Sequence, residues 1–271
     1  MSTTSIRVLG LAAALSLGAA HAFAEDPLPT PQSVVQKVQD NTYFPKASGM
    51  KDITVSIDNS MLAMLGGDVL IQYMWKSPDK EVIVVKGLED NPMVPPDAVE
   101  QMKKQFKQVG RMCVGEGIQD RLKGYDLSIA KDGENLVVTG KTADPEQMYS
   151  ELSFWVSAEH VIVKQKGKLT TPRQGQTESE QTYVLAKKDG KSYAVGSTQP
   201  DGTKATIEWA DVSGIFMPIK MTIDSPRNPM GPMSLEFKDV KVNSGLDDAV
   251  FAAAPAPPAP ATKPADEKKN P

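Results

Sequence analysis

The chain reads as a mostly β protein: one strongly curved antiparallel sheet of about eleven or twelve strands, a half-barrel with one or two helices covering its concave face. Alternation is the first reason. In Ile215–Asp224, Ile215, Met217, Ile219, Met221 and Ile223 share one parity while Phe216, Pro218, Lys220 and Thr222 take the other. Successive side chains of a strand point to opposite faces, so one face is apolar and the other wetter. Ala205, Ile207 and Trp209 alternate in the same way against Thr206 and Glu208. A phase change is the second reason: Met233, Leu235 and Phe237 keep one parity and Val240 and Val242 switch to the other, as a bulge that bends a strand requires. Third, Asp132-Gly133, Asp189-Gly190 and Asp201-Gly202 stand between strand patterns, and Asp-Gly pairs adopt the positive φ angles of tight antiparallel hairpins.

In chain order, residues 1–24 are expected to be a cleaved secretory signal. Arg7 supplies the positive region, Val8–Ala20 the apolar run, and Ala22-Phe23-Ala24 a small-x-small cleavage site. Thr30 can cap a helix that Pro31 opens and that Val34, Val35 and Val38 bury, with Pro45 expected to end it. Lys51–Asp58 alternates as a strand, and Asn59–Gly67 gathers Met61, Leu62, Met64 and Leu65 into an apolar turn or flap. Val69–Trp75 and Glu81–Lys86 form a hairpin around Lys76–Lys80. Pro95-Pro96-Asp97 starts the strongest helix, whose Val99, Met102, Phe106 and Val109 recur at helical spacing; Gly110 is expected to end it. A short helix is expected within Glu116–Lys123, and then a meander: Tyr125–Ala130, Asn135–Lys141, Glu151–Ser157, Val161–Leu169, Gln181–Lys187 and Ser192–Ser197. From Ala253 to Pro271 the sequence is Ala, Pro, Lys, Asp and Glu without an apolar anchor, which cannot repay ordering entropy, so a disordered tail is expected. The folded part, residues 25–252, is one domain: roughly 225 residues bury one substantial core.

The formal charge is −4, and losing Arg7 with the signal makes it −5. Such a chain offers no broad basic field for nucleic acid. Cys113 is the single cysteine, so no intrachain disulfide forms and it reads as a small, partly buried hydrophobe beside a helix end. The histidine left after signal removal, His160, sits beside a hairpin turn. No Gly-x-Ser-x-Gly elbow, His-Glu-x-x-His or Cys-x-x-Cys is present, and Gly115-Glu116-Gly117 lacks the strand and full motif of a phosphate loop. Asp247-Asp248 reads as a cap and a solvated charge. The chain therefore reads as a non-enzyme that needs neither cofactor nor metal.

Two stretches resemble the LolA-like proteins, bacterial periplasmic carriers and their relatives. One runs from Trp209 through Phe216–Met221 to Leu235–Asn243 and Leu246–Phe251; the other is the hairpin with Tyr73, Trp75, Lys76 and Pro78. Phe154–Val163 also looks like the family's mid-sheet hairpin. Ser77 stands where the lipoprotein carriers have arginine, a residue thought to latch their lid. The resemblance implies a soluble periplasmic carrier or chaperone that holds lipid, or the acyl chains of lipoproteins, in an apolar half-barrel and exchanges them with inner- and outer-membrane proteins. The lining it suggests is Trp75, Val99, Met102, Phe106, Ile207, Trp209, Met217, Ile219 and Met221.

Methionines such as Met61, Met64, Met74 and Met102 suit a pocket for flexible chains and an ordinary core equally. Burying the four apolar residues of the strongest helix is worth roughly 6–12 kcal/mol, and transferring about 15 methylenes is worth about 12. On those magnitudes a lipid could displace the helix face from the sheet's hollow. The alternative is a sensor or scaffold module of the same fold with a filled core and a protein partner. N-terminal sequencing of the exported protein is expected to start at Glu25; an N-terminus at Met1 overturns the cleavage reading.

Overall fold

The computed structural model describes residues 27–60, 69–88, 94–144, 147, 149–171 and 175–252. The expected signal, the Met61–Gly67 part of the flap and the expected tail lie outside the described residues. Twelve antiparallel strands form one sheet: β1 (Asp52–Asn59), β2 (Leu70–Lys76), β3 (Lys80–Lys86), β4 (Asp126–Asp132), β5 (Asn135–Lys141), β6 (Tyr149–Val156), β7 (Ile162–Thr171), β8 (Gly175–Lys188), β9 (Lys191–Thr198), β10 (Lys204–Val212), β11 (Ile215–Asp224) and β12 (Met233–Val242). Their order is β3-β2-β1-β12-β11-β10-β9-β8-β7-β6-β5-β4. Strands β3 and β4 are the edges, so the sheet curls without closing. The expected mostly β, single-sheet half-barrel is the observed one.

The turn chemistry works as anticipated. Asp189 and Gly190 take φ of 52° and 80°, and Gly133 and Gly202 are likewise left-handed. The phase change in β12 is a bulge: Thr54 faces Lys241 but Ser56 faces Lys238, with Asp239 at φ 50°. His160, at φ 56°, serves the β6–β7 turn. Its N–H donates to the Ser157 carbonyl at 2.9 Å.

Two helical covers share the hollow. Helix α1 (Pro31–Asn41) is capped by Thr30, whose Oγ1 accepts from the Ser33 N–H at 3.3 Å. With α3 (Ile118–Arg121), it covers the β4–β6 side, where Val34, Val38, Ile118, Leu122, Val138, Leu152 and Phe154 form one core cluster. Helix α2 (Pro96–Val114) covers the β1–β3 and β11 side, burying Val99 and Phe106 with Ile53, Ile57, Tyr73, Trp75, Met217 and Phe237. Cys113 is fully buried there, and burial pushes its thiol pKa up. It is the packed hydrophobe expected, buried more deeply than the sequence implied.

Strand β8 begins at Gly175 rather than Gln181, and two helix ends differ from the sequence reading. Helix α1 stops at Asn41 rather than Pro45, because Thr42 is extended and bridges to Ser192 of β9. Pro45 instead opens a 3-10 turn, Pro45–Ser48. Helix α2 runs past Gly110 to Val114 and ends at Gly115, which has φ 78°. Gly110 is there for contact: a Cβ at this position would lie 2.2 Å from Tyr73 Cγ. A glycine that permits close approach inside a helix carries the same letter as one that ends it.

The segment that follows β12, from Ser244 to Ala252, is tied down by charge and by backbone. Asp52, 4 % exposed, accepts from the Ser244 and Gly245 N–H groups at 2.8 and 3.1 Å. Asp247 Oδ1 accepts from the Ala249 N–H at 3.0 Å, at the start of α4 (Ala249–Ala252). Its neighbour Asp248 receives Lys76 and Lys80 Nζ at 2.7 and 2.8 Å, and these donors lower its pKa to about 2. It is thus an anchor on the β2–β3 turn rather than only a solvated charge. Gly110→Ala is expected to destabilise the fold by about 1–3 kcal/mol through overpacking; unchanged urea unfolding would show that Tyr73 yields freely.

Candidate functional site

The sheet is split near its middle. Strands β9 and β10 pair only over Gly196–Thr198 and Lys204–Thr206. Beyond that point other groups take the hydrogen bonds that β10 leaves. The Tyr43 N–H donates to the Ser192 carbonyl at 2.8 Å, and the Trp209 indole N–H donates to the Ala194 carbonyl at 2.9 Å. Tyr43 also reaches across, its hydroxyl donating to the Phe216 carbonyl at 2.9 Å. Tyr43, Tyr193, Trp209 and Phe216 meet edge-on or stacked, with ring centroids 4.9–6.4 Å apart. Such pairs add about 0.5–1.5 kcal/mol each beyond area burial.

Over this split and the adjoining strands lies a cavity of about 730 Å³. Its floor is Leu152, Ile162, Tyr183, Leu185, Tyr193, Ala205, Ile207, Trp209, Met221 and Ile223, from β6 to β11. Its roof is Val38 of α1, the Thr42–Pro45 connector, the last turns of α2 and Ile118 and Arg121 of α3. The cavity therefore sits between the two core clusters rather than under the apolar face of α2.

Of the nine residues suggested as lining, Ile207, Trp209 and Met221 are brought together in the floor. Trp75, Val99, Phe106 and Met217 are buried in the α2 core, and Met102 packs against it. Ile219 falls at an irregularity: Glu208 faces Lys220 while Trp209 faces Pro218, leaving Ile219 without a partner opposite on β10. That bulge breaks the single parity expected for Ile215–Ile223. Met221 and Ile223 reach the cavity, whereas Met217 belongs to the core. Tyr43, Tyr183, Leu185 and Tyr193 were not singled out in the sequence. The signal was the short apolar run Tyr183-Val184-Leu185-Ala186 on an otherwise polar strand.

The charged groups at the rim act mainly on α2. Arg111 donates through Nε to Glu81 Oε2 at 2.9 Å and through Nη2 to Glu81 Oε1, and its Nη1 lies 3.2 Å from Glu116 Oε1. Lys107 Nζ lies 2.9 Å from Glu81 Oε1, and the Tyr73 hydroxyl donates to Glu81 Oε2 at 3.2 Å. Burial opposes ionisation of Glu81, but the hydrogen bonds from Arg111 and Lys107 outweigh it and hold the carboxyl below its ordinary 4.5. Burial, reinforced by the Glu81 charge, pushes the Tyr73 phenol up. This clamp fixes α2 to β3. No helix among the described residues is long and apolar enough to cross a membrane.

No family model and no curated relative matches the chain. It is similar to three solved structures. A protein domain described as outer membrane lipoprotein-sorting, from Vibrio parahaemolyticus, is 12 % identical, covering 82 % of this chain and 97 % of that one, with a TM-score of 0.37. A LolA superfamily protein from Nitrosomonas europaea is 10 % identical, with coverage of 83 % and 98 % and a TM-score of 0.36. A DUF1329 family protein from Desulfovibrio piger is 10 % identical, with coverage of 81 % and 96 % and a TM-score of 0.39. At these values no site residue carries over from one chain to another.

The depressed Glu81 pKa sets a pH dependence. An unfolded carboxyl takes up its proton near 4.5 while the folded one resists, so the clamp's stabilisation is full above about 4.5 and is lost as pH falls through the folded value. Glu81→Gln is expected to remove about 1.5–3 kcal/mol at pH 7 and to flatten the loss between pH 7 and acid. Urea unfolding of both proteins across that range checks it; parallel curves would remove Glu81 from the account.

Proposed function

We propose that the protein is a periplasmic carrier or chaperone that holds lipid, or the acyl chains of lipid-modified proteins, in the cavity between its two helical covers. The observation that carries this reading is the cavity's size and wall. Roughly 300–1,000 Å³ is the range of small-ligand pockets, and 730 Å³ lies well inside it. The mainly aliphatic and aromatic floor from Leu152 to Ile223, interrupted by Gln181, Ser192, Ser197 and Thr203, offers a long apolar tail the environment it seeks, at about 0.8 kcal/mol per methylene transferred. Its position also changes the expected mechanism. The face of α2 is already packed and clamped through Arg111 and Glu81, so a tail enters beside this helix and has no need to displace it.

Export under the N-terminal signal would place the protein where lipid passes between two membranes. Hand-over to inner- and outer-membrane proteins belongs to the same proposal. The second reading, a non-transporting sensor or scaffold that binds a protein partner, draws on the packed α2 half. Acyl binding separates the two. Titration with a fluorescent acyl probe is expected to saturate and to change tryptophan emission, because Trp209 lies in the floor whereas Trp75 is buried in the α2 core. Trp209→Phe should remove that emission change, and Ile207→Asp should weaken binding roughly tenfold or more by putting a charge in an apolar wall. Wild-type protein that neither saturates with probe nor carries extractable lipid favours the scaffold.

A further inference from the structure

The cavity has two arginines, Arg111 and Arg121, in opposite electrostatic states. Arg111 is held by two carboxylates, Glu81 and Glu116. Arg121 pairs with no carboxylate among the described residues, because its neighbour Asp120 is engaged by Lys46. Instead its guanidinium lies over the Phe154 ring, 5.0 Å from the centroid, and Nη2 donates to Gln165 Oε1 at 2.6 Å. Gln165 is 3 % exposed, and the same oxygen accepts from the Tyr183 hydroxyl at 2.8 Å. That hydroxyl in turn accepts from Gln181 Nε2 at 2.7 Å.

This relay spends a buried amide and two further side chains on orienting one cation. A guanidinium has five N–H donors, and one is used by Gln165. The rest belong to a half-buried charge at the wall of a cavity whose two carboxylates, Glu116 and Asp120, are engaged by Arg111 and Lys46, so an anion there gains a charge-assisted bond from Arg121. Arg121 stands over β6 and β7, and Met221 and Ile223 lie on β11. Four strand spacings separate β7 from β11, roughly 19 Å across the sheet. One acyl chain spans about half of a ~30 Å hydrocarbon core, roughly 15 Å, so a head at Arg121 leaves room for its tail along the floor.

We infer that Arg121 is the headgroup anchor of the cavity and that the ligand is an amphiphile with one long tail and an anionic head, a carboxylate or a phosphate. The inference rests on the acyl-binding reading above and adds the chemistry of the head. It is tested on the full mature chain with three probes of matched tail: a fatty acid, its methyl ester, and a lysophosphatidic acid. Acetate and inorganic phosphate serve as heads without tails.

Wild type should bind the acid or the phosphate about 10- to 100-fold tighter than the ester, the range for one charge-assisted contact. Arg121→Gln should erase that preference, so that acid and ester bind alike, with a circular dichroism spectrum and urea unfolding like those of the wild type showing that the variant folded. Arg121→Lys, which keeps the charge and loses the planar fork, should retain part of it. Whichever anionic probe binds tighter identifies the head; free acetate or phosphate should compete weakly. Equal affinity for acid and ester in wild type overturns the anchor and leaves the acyl site standing. If no tailed probe binds, the acyl site itself falls and the anchor with it.

Discussion

A sheet that curls without closing encloses more space than one helix can fill, and the rest of the molecule answers that constraint. Twelve strands with free edges at β3 and β4 leave a hollow that α2 occupies on one side and α1 with α3 on the other. Each helix has its own core cluster, and neither reaches across. The unfilled remainder lies over β6–β11 and is the cavity.

The split between β9 and β10 shows how the floor stays intact while the strands part. A missing ladder would strand carbonyls against an apolar space, at a cost of about 1–3 kcal/mol for each buried unsatisfied group. Tyr43 and Trp209 supply the donors, and their rings join Tyr193 and Phe216. The same residues repair the backbone and provide cavity wall, so structural and functional pressures coincide in one cluster.

Charge is distributed to match. The Arg111–Glu81–Lys107 group holds α2 down and satisfies itself. Arg121 is held by neutral partners, the Gln165 amide and the Phe154 ring. Two arginines with the same side chain on one cavity wall thus differ in surroundings, and the carboxylates around them make the difference.

The strand sequence, the antiparallel pairing, the bulge in β12 and the two major helix starts were legible without coordinates. They rest on period-two alternation, Asp-Gly turn chemistry and an N-terminal cap, all of which act over a few residues. The end of α2 was not legible, because Gly110 meets Tyr73 only across the fold. Nor was the bulge at Ile219, where β11 keeps alternating in sequence after its register has slipped. The site was legible in smaller part: of the nine residues expected to line it, Ile207, Trp209 and Met221 do, whereas Tyr43, Tyr183 and Arg121 come from elements where no lining was expected. By itself the sequence determined which segments are strands and, where no bulge intervenes, which face of each is apolar. Where the hollow is filled and where it stays open was decided only by tertiary structure, since helix placement, register shifts and carboxylate pairing depend on residues distant along the chain.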